Sequence, residues 1–243
     1  MESPVNSPEE LLKINSPKIN FSKIKAFVFD MDGVLVDSEK MYDECWRLAS
    51  DDFGLNAASM IRLRRKCIGI NRSDTEKILS ENVEALDSKK FYDSTESYAE
   101  KLKLEKKYFA SECLSFLQKK NFVLYLASSN SKKYAVKKMI ELGLLEFFLP
   151  DRMIFSDDVK NAKPAPDIYA ECVRRSGFSA SECVAVEDSP SGITSAFDAG
   201  LKTVMIPDII EPDLQLKQKC NLVLSDLKEL CDNVELDELN SIS

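Results

Sequence analysis

The 243-residue sequence predicts an α/β protein: a doubly wound, Rossmann-like parallel sheet interrupted once by an inserted all-helical cap domain. Three observations predict it. Short apolar runs recur, and most are followed by a segment with helical apolar spacing, the alternation that builds a parallel sheet with helices on both faces. The stretch from Ser38 to about Lys107 breaks this alternation and shows helical patterns only. Polar clusters follow four of the apolar runs, at the strand ends where open α/β sheets bind ligands.

The elements can be justified in order. Residues 1–22 carry Pro4, Pro8 and Pro17 among many polar groups. They lack the apolar core of a secretory signal, so they are expected to form a flexible tail with a short helix around Glu9–Ile14. Ala26–Phe29 is apolar at every position, as a strand buried on both faces must be, and it stops at Asp30, Asp32 and Gly33. Four helices are expected next, over Ser38–Asp52, Ser59–Cys67, Ser73–Asn82 and Asp87–Leu104. They form a cap over residues 38–107, leaving 23–37 and 108–243 to the core. Val123–Ala127 is the second strand, followed by a helix over Lys132–Leu142 that ends near Gly143. Met153–Phe155 is a third strand and Val184–Val186 a fourth. The helix Pro190–Ala199 has Ser189 as its N-cap, Pro190 at its first position and Gly200 just past its end. Thr203–Ile206 and Leu222–Leu224 complete the sheet.

Composition narrows the function. Hydrophobic residues make up 44% and charged residues 30%, as in soluble globular proteins. A net charge of −8 argues against nucleic acid or an anionic membrane as partner, and no apolar stretch reaches spanning length. Seven cysteines without a Cys-x-x-Cys pair point to reduced, packed thiols and a cytoplasmic setting. Histidine is absent, which removes Ser-His-Asp and Cys-His catalysis and histidine-bound zinc. The seven glycines form neither Gly-x-Gly-x-x-Gly nor a Walker loop.

The chemistry is left to four clusters: Asp30 with Asp32, Ser128-Ser129-Asn130, Lys163 before Pro164, and Glu187-Asp188-Ser189. A doubly wound sheet brings such strand ends to one edge. Crowded carboxylates repel unless a cation joins them, and hard oxygens with open positions suit Mg²⁺. Asp30, Asp188 and Glu187 are the candidate ligands. Asp30 could attack phosphorus to form an aspartyl-phosphate. Asp32 would protonate the leaving oxygen and then deprotonate water. Ser128, Lys163 and nearby backbone N–H groups would hold the phosphoryl. A calcium loop starting at Asp30 fails, because its sixth position is Leu35 and its twelfth Met41.

On these residues the chain resembles the haloacid dehalogenase superfamily, in the branch with a helical cap after the first motif, and is similar to the β-phosphoglucomutase and small sugar-phosphate phosphatase group. The matching segments are Phe29 to Glu39, Leu126 to Asn130, Lys163 to Tyr169, and Val186 to Ser189 running on to Gly200. The resemblance implies Asp30 as nucleophile and Asp32 as general acid/base. Ser128 and Lys163 bind the phosphoryl, with Gly33, Ser129 and Asn130 beside them. Asp188 binds Mg²⁺, with Glu187 direct or through water and the Asp32 carbonyl as a further ligand. In the cap, Gly69, Asn71 and Arg72 look like the family's specificity loop, with Arg72 holding a second phosphate or another anionic group. Arg62, Arg64, Arg65 and Lys66 read as a solvated helix face.

The expected activity is Mg²⁺-dependent hydrolysis of a small phosphorylated metabolite, a sugar or polyol phosphate, by a monomer. A hexose-phosphate mutase is the alternative, and a non-catalytic phosphate-binding protein the second. Mutase-type members carry histidine where this chain has Tyr42 and lysine where it has Ile68, and both departures favour hydrolysis.

Overall fold

The structure, a computed structural model, describes residues 19–68 and 72–242. In chain order it forms β1 (Ala26–Phe29), α1 (Ser38–Asp52), α2 (Ala57–Arg65), α3 (Arg72–Asn82), α4 (Ser88–Lys101), α5 (Ala110–Lys119), β2 (Val123–Ser128), α6 (Lys132–Glu141), β3 (Met153–Phe155), α7 (Asp167–Ser176), β4 (Cys183–Glu187), α8 (Pro190–Asp198), β5 (Lys202–Met205), α9 (Leu214–Lys219), β6 (Leu222–Val223) and α10 (Leu227–Ile242).

The six strands are parallel in the order β3-β2-β1-β4-β5-β6. The chain first winds outward through β2 and β3, then returns to the other side of β1. The crevice between β1 and β4 is therefore the topological switch point, where doubly wound sheets place their ligands. Register fixes what meets there: Phe29 pairs with Leu126 on one side and Val186 on the other. The residues one step beyond, Asp30 and Glu187, then emerge at one edge.

Alternation along β1 explains the two packed faces. Phe27 and Phe29 point into the larger apolar cluster with Leu114, Leu117 and Leu230 from α5 and α10. Ala26 and Val28 point into a smaller one with Tyr169, Cys172 and Ala196 from α7 and α8. All seven cysteines are buried and unpaired, as small apolar side chains.

Helices α1 to α4 have an apolar cluster of their own, built on Trp46, Ala49, Met60, Leu63, Leu79 and Phe91. The rings of Trp46 and Phe91 meet edge to face at 5.2 Å, a favoured aromatic geometry. The chain leaves and re-enters the sheet layer side by side, with Asp37 N–H donating to the Glu105 carbonyl at 2.9 Å and Lys107 N–H to that of Leu35 at 3.0 Å.

Several boundaries differ from expectation. Asn56, not Ser59, starts the second helix, because its side chain accepts from Ser59 N–H. Asp87 caps the fourth helix from outside by accepting from Lys90 N–H. The third helix begins at Arg72, so Ser73 lies inside it. The expected tail extends too far: Ile19 and Phe21 are buried in the large cluster, because their apolar side chains cover the α10 end of the core. The helix expected at Glu9–Ile14 lies outside the described residues.

Candidate active site

The turn after β1 builds the first half of the site. Leu35 and Val36 N–H both donate to the Met31 carbonyl, and Gly33 N–H donates to that of Val36. Gly33 has φ +77°, which glycine adopts without penalty. A second constraint is stricter, since a Cβ on Gly33 would lie 2.1 Å from the Asp188 carboxylate. Only glycine lets the β1 turn and the β4 loop approach this closely.

Lys163 sits at the centre. Its ammonium donates to Asp30 Oδ1 at 2.5 Å, Glu187 Oε1 at 2.6 Å and the Ala127 carbonyl at 3.0 Å. It lies 5.0 Å from the centre of the Tyr169 ring, within cation–π range. Glu187 is fully buried, yet both its oxygens are satisfied. Oε1 accepts from Lys163 and from Tyr169 O–H at 2.7 Å, while Oε2 accepts from Asp188 N–H, Ser189 N–H and Ser189 O–H. The N-cap of α8 is thus joined to the site, because Ser189 Oγ also accepts from Gly192 N–H.

On the β2 side, the Asn130 amide donates to Asp32 Oδ2 at 2.5 Å and to Ser128 Oγ at 3.3 Å. Asn130 therefore positions Asp32 directly. Ser128 is buried and Ser129 exposed on the bend that follows. Asp30, Asp32, Ser128, Asn130, Lys163, Glu187 and Asp188 accordingly lie at the C-terminal edge of the sheet.

Charge is unbalanced there. One buried ammonium faces several carboxylates, and the protonation of each follows from its surroundings. Burial, with Glu187 and Asp32 adding repulsion, pushes Asp30 up to about 8 against the downward pull of Lys163. Burial, then Glu187 and Asp30, likewise holds Asp188 well above the usual carboxylate range. For Glu187 the raising effect of burial is outweighed by Lys163 and by the Tyr169 and Ser189 hydrogen bonds, so it stays ionised. Burial raises Asp32, while the hydrogen bond from Asn130 partly opposes it. Asp32 is therefore suited to carry a proton to a leaving group.

Asp30, Glu187 and Asp188 each offer an oxygen atom within 4.8 Å of the others. All are hard donors, and an added cation would relieve the repulsion that raises Asp30 and Asp188, so the donor set fits a hard divalent ion.

Two residues absent from the sequence-based site belong to it. Tyr169 orients Glu187, and its only sequence signal is its place six residues after Lys163. Asp208 follows β5; its charge raises Asp188, and it pairs with Lys107 at 2.6 Å. The segment Gly69–Asn71 lies outside the described residues. The anion-binding role expected of Arg72 meets a competing arrangement. Its guanidinium is held by Glu76, Asp93 and Glu96 and rests over the Tyr92 ring, because the third and fourth helices bring three acids around it. The basic run is also not uniformly solvated. Arg64 is buried, pairing with Glu39 at 2.7 Å and Asp43 at 2.6 Å.

Strand-end carboxylates thus surround a buried lysine on a doubly wound sheet that carries a helical insertion. The chain belongs to the haloacid dehalogenase-like hydrolases, whose family model matches residues 27–206, and it is an enzyme of their phosphatase type. It is 34% identical over 74% of its length to the phosphorylated carbohydrates phosphatase of Thermotoga maritima, covering 84% of that protein. It is 26% identical to the Escherichia coli fructose-1-phosphate phosphatase YqaB, over 76% of this chain and 97% of the other. Among solved structures, a beta-phosphoglucomutase-like protein from Thermotoga maritima superposes with a TM-score of 0.73 at 27% identity, over 87% of this chain and 99% of the other. No helix among the described residues is long and apolar enough to cross a membrane.

Proposed function

We propose that this protein is a Mg²⁺-dependent phosphatase of sugar or polyol phosphates working through an aspartyl-phosphate on Asp30. The observation that carries the reading is the convergence of Asp30, Asp32 and Asp188 on one sheet edge around the Lys163 ammonium. The phosphatases of phosphorylated carbohydrates among its relatives support the substrate class.

The Asp30 carboxylate attacks phosphorus, and the bond from phosphorus to the ester oxygen breaks. Asp32 gives its proton to that oxygen, so the leaving group departs as a neutral alcohol. Water then attacks phosphorus, Asp32 takes its proton, and the acyl-phosphate bond breaks to release phosphate and restore Asp30. Lys163 supplies positive charge to the phosphoryl oxygens, and Glu187 holds Lys163 in place. Asp30 and Asp188 would hold Mg²⁺, together with the Asp32 carbonyl; Glu187, whose oxygens are already occupied, would act through water. When bound, the ion supplies charge neutralisation for the approach of an anionic carboxylate to an anionic phosphate.

Phosphate release from phosphorylated sugars and polyols, with and without Mg²⁺, tests the reading. Turnover should require the ion. Asp30→Asn should abolish it while preserving the fold, and Asp32→Asn should slow it by roughly 10²–10⁴-fold, the usual share of general acid–base catalysis. An active, folded Asp30→Asn protein would refute the mechanism. Conversion of β-glucose 1-phosphate to glucose 6-phosphate without free phosphate would make the protein a mutase.

A further inference from the structure

Beneath the helical block lie two adjoining cavities that share Tyr42, Trp46 and Tyr92. The larger, about 530 Å³, also reaches Tyr134 on α6, and the smaller, about 160 Å³, reaches Glu39 and Arg64. Asp32 lies near this space, since Ser131, which follows the Asn130 bonded to it, lines the larger cavity. Its charge is felt by Glu39, Tyr42 and Tyr134, and Tyr42 O–H lies 3.5 Å from Tyr134 O–H. A leaving group protonated by Asp32 therefore departs from this side.

The charge in the smaller cavity is already compensated. Arg64 is held between Glu39 and Asp43. Arg72 is held by three carboxylates. Lys138 lies 3.1 Å from Glu141, and Lys133 and Lys137, both exposed, line the larger cavity. A second phosphate or a carboxylate on the substrate would meet no uncompensated cation in the smaller cavity, where Arg64 is the only cation among the described lining residues.

Arg64 and Glu39 nevertheless retain hydrogen-bonding capacity. Arg64 Nε serves Asp43, and Nη2 serves the Glu39 carboxylate and carbonyl. Among the described residues, the N–H groups on Nη1 have no protein acceptor and Glu39 Oε1 has no donor. A donor and an acceptor of nearly zero net charge stand side by side, the complement of hydroxyl groups, which both give and accept. The aromatic walls suit the C–H faces of a carbon chain or ring.

We propose that the leaving group this enzyme accepts is uncharged and polyhydroxylated, with Glu39 and Arg64 recognising a pair of its hydroxyls on the inner face of the helical block. This rests on the phosphatase reading above and narrows it to monophosphates, excluding sugar bisphosphates and phosphorylated sugar acids. Glu39 and Arg64 become the residues that set specificity.

The test compares kcat/KM of the full-length protein, with Mg²⁺, on three sets of esters. p-Nitrophenyl phosphate reports the core chemistry. Hexose and hexitol monophosphates form the neutral set, and the matching bisphosphates and a phosphorylated aldonic acid form the anionic set. The neutral set should be preferred over the anionic by at least about tenfold, since an unmatched buried charge is costly. Glu39→Gln leaves Arg64 less compensated and should narrow that preference from both sides. Arg64→Lys keeps the charge but loses the fork, and should lower neutral-ester turnover relative to the aryl ester, mainly through KM. Preference for bisphosphates, or a ratio that neither folded variant moves, overturns the inference while hydrolysis of the aryl ester keeps the phosphatase reading intact. Failure to hydrolyse any ester overturns both.

Discussion

At the scale of single residues, protonation is decided by the number of carboxylates competing for one ammonium. Lys163 bonds both Glu187 and Asp30, yet Glu187 is held low and Asp30 is left raised to about 8. A cation must therefore displace a proton from Asp30 near neutrality. Apparent Mg²⁺ affinity, measured by calorimetry in buffers of different ionisation enthalpy, should rise with pH up to about 8 with net proton release. Affinity independent of pH from 6 to 8 would contradict this assignment. Asn130 acts on Asp32 in a comparable way, through a hydrogen bond that favours the ionised form. Asn130→Ala should move the Asp32 limb of the pH–rate profile upward and slow turnover by roughly tenfold, the kinetic equivalent of one lost charge-assisted hydrogen bond. An unshifted profile would mean that Asn130 only lines the site.

At the scale of elements, the start of α8 shows how closely a helix can be tied to chemistry. Ser189 caps it, Pro190 opens it, and a Cβ at Gly192 would come within 1.9 Å of the Glu187 carboxylate. Gly→Ala inside a helix normally gains about 1 kcal/mol. Here the added methyl must displace Glu187, and breaking a buried ion pair costs about 3–5 kcal/mol. Gly192→Ala should therefore lower stability by at least about 2 kcal/mol in denaturant titration and should impair turnover. A stabilised, active variant would show that Glu187 can shift without cost. The helical block offers a contrast. Its own apolar cluster closes around Trp46 and Phe91, so its contribution to the cleft comes from residues on its rim: Glu39, Tyr42 and Arg64.

At the scale of the whole molecule, the same carboxylates link stability to pH and to metal. Asp30 has an ordinary value of 3.8 and is raised to about 8 in the fold. Its folded form binds more protons than its unfolded form, so its contribution is complete below about 4 and is lost as pH rises through about 8. Asp188 acts in the same direction. Without metal, the site should therefore lose stability from pH 5 to 8. Mg²⁺ should restore it, with a rise in Tm that grows with pH. Thermal unfolding across this range, with and without Mg²⁺, is the check, and a metal-induced rise that shrinks with pH would contradict it.

The sequence by itself determined much of this protein, because its information is local there. Short apolar runs ending in acids mark strands and the sheet edge they open on, and Ser189-Pro190 with Gly200 brackets a helix. β1 and β3 form as expected, and the remaining strands differ only at their ends. Asp30, Asp32, Ser128, Lys163 and Asp188 were all legible, since each follows a strand that the topology sends to one edge. What the tertiary structure alone decided involves partners distant in sequence. Tyr169 reaches Glu187 because α7 packs across the sheet face at β1, β2 and β3, and Asn130 reaches Asp32 because β2 lies beside β1. Arg64 and Arg72 look alike in a basic, helical stretch of sequence. Packing of α1 against α2, and of α3 against α4, surrounds each with acids. Local pattern specifies which groups are present, but only packing sets the distances between them, and the chemistry of a buried charge depends on those distances.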